Sequence, residues 1–133
     1  MIETIASKLF DFATKLFDLN SVIKQAKIDE KKRISDFLKN ISEALDQLAT
    51  NAEQGKDMST QCGELDTYVK YLIQALKKHL PEETISEFSH QLSSATLTRG
   101  LMGEMYGAEK TSNIQYIRES VGKFRALSKV IVL

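Results

Sequence analysis

Residues 34–52 read ISDFLKNISEALDQLATNA, and this stretch decides the fold class. Its apolar side chains recur three and four positions apart, which places them on one face of an α-helix. They are Ile34, Phe37, Leu38, Ile41, Leu45, Leu48, Ala49 and Ala52. The positions between them are mostly polar, so the opposite face is suited to water. A helix of this kind needs other helices to cover its apolar face.

The same spacing predicts further helices on both sides of this stretch. The first covers residues 2–19, and the stretch 34–52 belongs to the second. The third runs over 62–80, the fourth begins at Pro81, and the fifth begins at Ser112 and reaches the end of the chain. Ser112 and Gln115 match a capping box. Gly55 is suited to the left-handed residue just past a helix end. The sequence leaves open whether residues 2–53 form one helix or two.

Little of the sequence favours strands, because it has one proline, six glycines and no tryptophan, with few runs of valine or threonine. At 133 residues the chain lies in the usual size range of one domain. We therefore expect an all-α fold: an antiparallel bundle of four to five helices that forms a single domain over residues 1–133.

The composition argues against several classes of partner and several cellular locations. Eighteen basic residues balance eighteen acidic ones, so the chain lacks the net charge of a dedicated nucleic-acid binder. Cys62 is the only cysteine, which favours a reducing compartment. The charges in residues 2–19 argue against both a secretion signal and a spanning helix. We therefore expect a cytoplasmic protein that does not bind nucleic acid.

The first helix carries more apolar surface than one packed face requires. Phe10 and Phe17 lie one position beyond its main apolar row, and with Ala6 and Ala13 they widen the apolar arc to roughly 160°, against roughly 100° for a surface helix. Three interpretations remain open. The helix lies centrally in the bundle, or it offers a face to a protein partner, or it lies on a membrane surface.

Two other stretches are candidates for contact. Residues 20–33 hold a basic cluster, with Lys31, Lys32 and Arg33 at its end, that either binds a phosphate or an acidic partner or is only a solvated face. Residues 98–107 hold three glycines, which predict a kinked or frayed helix. Here Met102, Met105 and Tyr106 either form an adaptable binding surface or pack one end of the bundle. The glycine spacing does not match a nucleotide-binding fingerprint.

No catalytic residue, cofactor-binding residue or metal ligand is identified. Glu87 and His90 form one Glu-x-x-His pair, but a carboxylate metal site in a bundle needs a second such pair, and His79 has a leucine at the corresponding position. Cys62 falls in the apolar row of its helix, which indicates an inert core residue rather than a nucleophile. We expect a protein that is not an enzyme and holds no cofactor.

The stretches 62–68 (CGELDTY) and 122–127 (GKFRAL) resemble the N-terminal helical module of multidomain cyanobacterial proteins, where it precedes nucleotide-binding or repeat domains. The first helix and the entry Lys31-Lys32-Arg33-Ile34 are similar too, whereas residues 100–107 depart from the resemblance. It implies a non-catalytic interaction domain of a bacterial signalling or defence-type protein. The apolar end Val130-Ile131-Val132-Leu133 agrees with an N-terminal part of a longer protein.

We therefore predict a protein-protein interaction or assembly module that binds a protein partner or a second copy of itself. Its contact residues would come from Phe10, Phe17, the basic cluster and the Met102 to Tyr106 stretch. The alternative is a membrane-active bundle whose first helix inserts at a lipid surface. The sequence leaves open the partner, the oligomeric state and the structure of residues 93–111.

Overall fold

The computed structural model describes residues 3–133 of the chain. Within that range every regular element is helical, so the predicted all-α class is confirmed. In chain order the α-helices are α1 (Ile5–Asp18), α2 (Asn20–Ile23), α3 (Ile28–Glu53), α4 (Ser59–Leu76), α5 (Glu82–Gln91), α6 (Leu101–Glu104) and α7 (Lys110–Val130), and a π-helical turn, Thr96–Gly100, precedes α6.

The described residues form seven α-helices, so the predicted count of four or five is not confirmed. The difference comes from α2 and α6, which are single turns. Residues 3–53 form three helices, α1, α2 and α3. At the end of α1, Asn20 Nδ2 donates to the carbonyl of Phe17 at 2.7 Å. Ile2, which we placed in the first helix, lies outside the described residues.

Two helix starts differ from their predictions. The capping box at Ser112 and Gln115 is wrong, because α7 begins at Lys110 and Ser112 lies inside its first turn. Pro81 is the residue before α5 rather than its first member. Gly55 adopts the predicted left-handed conformation, with φ of 68°.

Helix α3 runs antiparallel to both α4 and α7. Ser35 Oγ donates to the carbonyl of Ser128 at 2.6 Å, which joins the beginning of α3 to the end of α7. At its other end α3 pairs Glu53 with Arg118, near the beginning of α7. The nearby contact of Asn51 with Gln61, at 3.2 Å, joins the end of α3 to the first turn of α4. The predicted apolar face of α3 is buried apart from Phe37, which is half-buried.

Helices α1 and α7 run parallel to each other. The backbone amide of Ile5 donates to Glu104, just before α7, and the ring of Phe12 lies 6.0 Å from that of Phe124 in its second half. Parallel neighbours need a long connection, and residues 19–109 supply it. One end of the bundle therefore holds the corner between α2 and α3, and the other end holds α6.

The segment 81–107 leads the chain from the end of α4 back to the beginning of α7. Phe88 on α5 packs edge-on against Phe12, with ring centroids 4.6 Å apart. The amide of Leu101 then donates to the carbonyl of Thr96, the wide step that defines the π-helical turn. A Cβ built on Gly100 would meet the Cδ1 end of the Ile5 side chain, so glycine leaves room for that side chain here. The predicted kink in residues 98–107 takes this form.

The first turn of α1 has a partner for each of its exposed backbone amides. Glu104 accepts from Ile5 N at 2.7 Å through Oε2 and from Ala6 N at 3.0 Å through Oε1. Thr4 and Ser7 form a capping box in which each side chain accepts from the backbone amide of the other. A carboxylate from α6 thus neutralises the positive end of α1.

We expect Glu104→Ala to lower the free energy of unfolding by about 1–2 kcal/mol, because two amides of α1 lose their acceptor. Urea denaturation followed by circular dichroism measures this change. Glu109→Ala is the matched control, since Glu109 is exposed and makes no capping bond through its side chain. An equal loss in both variants would contradict a stabilising role for the Glu104 bonds.

Candidate functional site

A shallow groove of about 540 Å³ runs between α1 and α7. Phe10 and Phe17 form its α1 side, and the α7 side consists of Glu119, Gly122, Lys123 and Ala126. The floor is largely apolar, and its two charged residues lie one helical turn apart on α7. The structure thus brings Phe10 and Phe17, which we singled out from the sequence, into one surface feature.

The position of the two phenylalanines follows from the wide apolar arc of α1. Leu9, Phe12 and Leu16 are fully buried against the core. Phe10 and Phe17 are half-buried at the edge of that face, and the ring of Phe10 lies 5.9 Å from that of Tyr116 on α7. The surplus apolar surface therefore faces the groove rather than a second layer of helices.

Lys123 covers part of the groove. Its Nζ lies 5.5 Å from the ring centroid of Phe10 and 6.0 Å from that of Phe17. An ammonium over an aromatic face is stabilised by the ring quadrupole, at about 0.5–1 kcal/mol for an exposed site. The lysine stem also shields apolar surface from water. The groove thus has a cover, the Lys123 side chain, whose contacts are weak enough to be displaced.

Our reading of the sequence named none of the four α7 residues of the groove as contacts, and the small ones among them are Gly122 and Ala126. They stand four apart on an otherwise polar face of α7, and a Cβ on Gly122 would meet no atom within 4 Å. Small residues allow another helix to approach closely. Their spacing was visible in the sequence, but only the packing of α1 beside α7 places them next to Phe10 and Phe17.

The basic cluster lies at one end of the bundle, away from the groove floor. Lys32 and Arg33 are exposed and Lys31 is half-buried at the beginning of α3. The guanidinium of Arg33 lies 5.7 Å from the ring of Phe37, which in turn stacks beside Tyr71. These side chains form a second, separate surface.

The third candidate stretch lies at the opposite end, next to α6. Tyr106 is 66% exposed and Met102 is half-buried, but Met105 is fully buried. Met105 therefore belongs to the core, and its prediction as a contact residue is wrong. The amide of Met105 donates to the carbonyl of Met102, and this turn after α6 directs the side chain inward. The stretch thus packs the end of the bundle through Met105 and leaves Tyr106 on the surface.

The polar groups considered for chemistry do not form one site, although Glu87 and His90 line the same depression on α5. Within residues 3–133, no three or more side chains of the histidine, cysteine, aspartate or glutamate type converge as metal ligands would. Glu87 is bound to Lys15 at 3.2 Å, while His79 Nε2 lies 2.7 Å from Glu30. Burial, and secondly the charge of Asp57, raises the pKa of the Cys62 thiol to about 11. A thiol of this kind is a poor nucleophile.

Comparison of the chain with models of protein families, with curated proteins and with solved structures finds no match. The resemblance to the cyanobacterial helical module therefore stays an expectation. Among the described helices, none combines the length and the apolar character needed to cross a bilayer.

We expect Cys62 to react with iodoacetamide at pH 8 at least roughly a hundredfold more slowly than an ordinary thiol, because its pKa of about 11 lies two units above the reference value of 9.0. Folding favours the protonated thiol, so this stabilisation is complete below about pH 9 and is lost as the pH rises towards 11. Mass spectrometry follows the alkylation. The variant Cys62→Ala, Thr60→Cys moves the thiol to an exposed position of α4 and should react at the ordinary rate.

Proposed function

We propose that this chain is a non-catalytic assembly module whose α1–α7 groove binds a second copy of the chain. The observation that carries the proposal is the apolar groove itself, in which two half-buried phenylalanines face a glycine and an alanine. Half-buried aromatic side chains gain contact area from a partner with little loss of conformational freedom. The groove is too shallow and open to enclose a small molecule, whereas a helix face fits it.

The charges on α7 favour a second copy as the occupant. Glu119 precedes Lys123 by one helical turn, and both line the groove. When two α7 helices cross antiparallel about a twofold axis, Glu119 of each copy lies beside Lys123 of the other. Such an isologous contact forms each ion pair twice. In that arrangement the axis passes midway between Glu119 and Lys123, so Gly122 lies beside it, where close approach of the two helices is needed.

We propose that the seven helices form a bundle of five segments. In this description α2 belongs to the corner between α1 and α3, and α5, the π-helical turn and α6 together form one segment. We also propose that the module belongs to a cytoplasmic signalling or defence-type protein, as the resemblance implies. Its partner is then the same module in another copy.

The alternative, in which α1 leaves the bundle and inserts into a membrane, has less support. Release of α1 would expose Leu9, Phe12 and Leu16 and break the bonds from Glu104 to its first turn. Liposome leakage that depends on Leu9, Phe10 and Phe17 would favour it over the assembly module.

We expect the wild-type chain to form a dimer, and Gly122→Lys to convert it to a folded monomer. The lysine side chain would fill the groove where a Cβ meets no neighbour within the monomer, so the fold is preserved. Light scattering over a concentration series measures the molar mass. Gly63→Lys is the matched control, because Gly63 is also helical, exposed and free of atoms within 4 Å of a Cβ. A monomeric wild type would contradict the proposal.

The double variant Phe10→Ala, Phe17→Ala should also be monomeric, with a dissociation constant raised on the order of a thousandfold if the two rings are additive binding hot spots of about 2 kcal/mol each. Charge exchange gives a sharper test. Glu119→Lys alone should weaken the dimer, and adding Lys123→Glu should restore it, since each copy then carries the reversed pair. Failure of the second change to restore the dimer would contradict the twofold geometry.

A further inference from the structure

We propose that the corner between α2 and α3, residues 20–33, binds the surface of an anionic lipid membrane. This corner shares no residue with the α1–α7 groove, so the proposal stands apart from self-association. It rests on two independent observations: exposed aliphatic side chains on an ordered turn, and a concentration of positive charge around them.

The aliphatic part consists of Val22 and Ile28, which are 37% and 67% exposed. Both lie on a well-anchored turn, since Ile23 is fully buried and Ala26 is 9% exposed between them. The corner is therefore held in the core by two side chains while two others point away from it. Exposed aliphatic residues on a fixed turn at the end of a bundle can enter the interfacial region of a bilayer without unfolding.

The positive charge belongs to five side chains, against two acidic ones, Asp29 and Glu30, in the same segment. The basic residues are Lys24, Lys27, Lys31, Lys32 and Arg33. Ile28, Lys31 and Lys32 stand at the three- and four-residue spacing of one helix face. Among residues 3–133, none of the four lysines forms an ion pair, whereas Glu30 faces His79 at 2.7 Å.

The neighbouring helix adds to this field. Lys78, just past the end of α4, lines the same small surface cavity as Arg33 and Glu30. Lys77 is less available, because it shares a surface with Glu82 of α5. The other exposed acids at this end are Asp18 on α1, Asp36 one turn further along α3, and Glu82 and Glu83 at the beginning of α5. Residues 20–33 themselves hold three more basic than acidic side chains, in a chain whose total charge is zero.

The chemistry of the corner favours lipid over other anionic partners. Single-stranded nucleic acid is normally bound by stacking on aromatic rings, and residues 20–33 contain none. The rings beside the corner, Phe37 and Tyr71, stack on each other next to Arg33. A protein partner would need a complementary pocket for Ile28, whereas a bilayer accepts an aliphatic side chain at any point of its surface. Lysines around an inserted aliphatic residue are the arrangement that anionic headgroups attract.

A single tryptophan reports this contact directly, because the natural chain has none. We expect the fluorescence of Ile28→Trp to shift to shorter wavelength with vesicles of phosphatidylcholine and phosphatidylserine, and not with phosphatidylcholine alone. Tyr106→Trp is the control, because Tyr106 is as exposed as Ile28 but lies at the other end of the bundle. No shift for Ile28→Trp, or an equal shift for both variants, would overturn the proposal.

Charge removal tests the same contact in a chain with Ile28 intact. The triple variant Lys27→Gln, Lys31→Gln, Lys32→Gln should bind the anionic vesicles on the order of a hundredfold more weakly, at roughly fivefold per lysine. Co-sedimentation with the vesicles measures this affinity. The matched control removes three exposed lysines elsewhere: Lys39→Gln, Lys56→Gln, Lys70→Gln. Equal weakening in the two triple variants would show attraction by total charge alone and overturn the proposal. Binding to polyuridylate or an acidic peptide without vesicle binding would also overturn it.

Discussion

The packing of Phe12 is the contact on which the rest of the structure depends. Its ring is 2% exposed and meets Phe88 of α5 edge-on and Phe124 of α7 at a wider distance. A pair of aromatic rings in this geometry gains about 0.5–1.5 kcal/mol beyond the burial of its area. These three rings join the first helix to two segments that lie more than seventy residues further along the chain. They therefore hold α1 beside α7, and the α1–α7 groove exists only because of that neighbourhood.

The chain has zero net charge, but its charged side chains lie in separate regions of the surface. On the α3–α7 side, Arg118 and Arg125 pair with Asp46, at 3.3 Å and 3.4 Å, and Arg118 also pairs with Glu53. These groups are at least two-fifths exposed, so they align α3 and α7 more than they stabilise them. The lysines at the beginning of α3 take no part in these pairs, although Asp29 and Glu30 stand beside them in the sequence. A zero net charge thus excludes bulk attraction but not local attraction, which decides where a charged surface binds.

The sequence was sufficient where the information is local. The row from Ile34 to Ala52 predicted the buried face of α3, and the wide arc of α1 singled out Phe10 and Phe17. It failed where distant residues meet. The bonds from Glu104 to Ile5 and Ala6 join residues about one hundred positions apart, and nothing in either stretch signals the other. The burial of Met105 likewise depends on the return of segment 81–107 to the end of the bundle. Glycine spacing predicted an irregular helix there, but not which side chain would turn inward.

The free energy gained by burying α1 limits the ways in which a membrane can contact this fold. Burying a leucine or phenylalanine side chain contributes about 1.5–3 kcal/mol, so Leu9, Phe12 and Leu16 together represent roughly 4–9 kcal/mol. That range overlaps the entire stability of a typical domain, about 5–15 kcal/mol. Release of α1 would therefore be close to unfolding, and a lipid surface would have to replace nearly all of the lost burial. Val22 and Ile28 are already exposed in the folded chain. A membrane that contacts the α2–α3 corner leaves the core intact, so the proposed membrane contact is compatible with the proposed assembly through the groove.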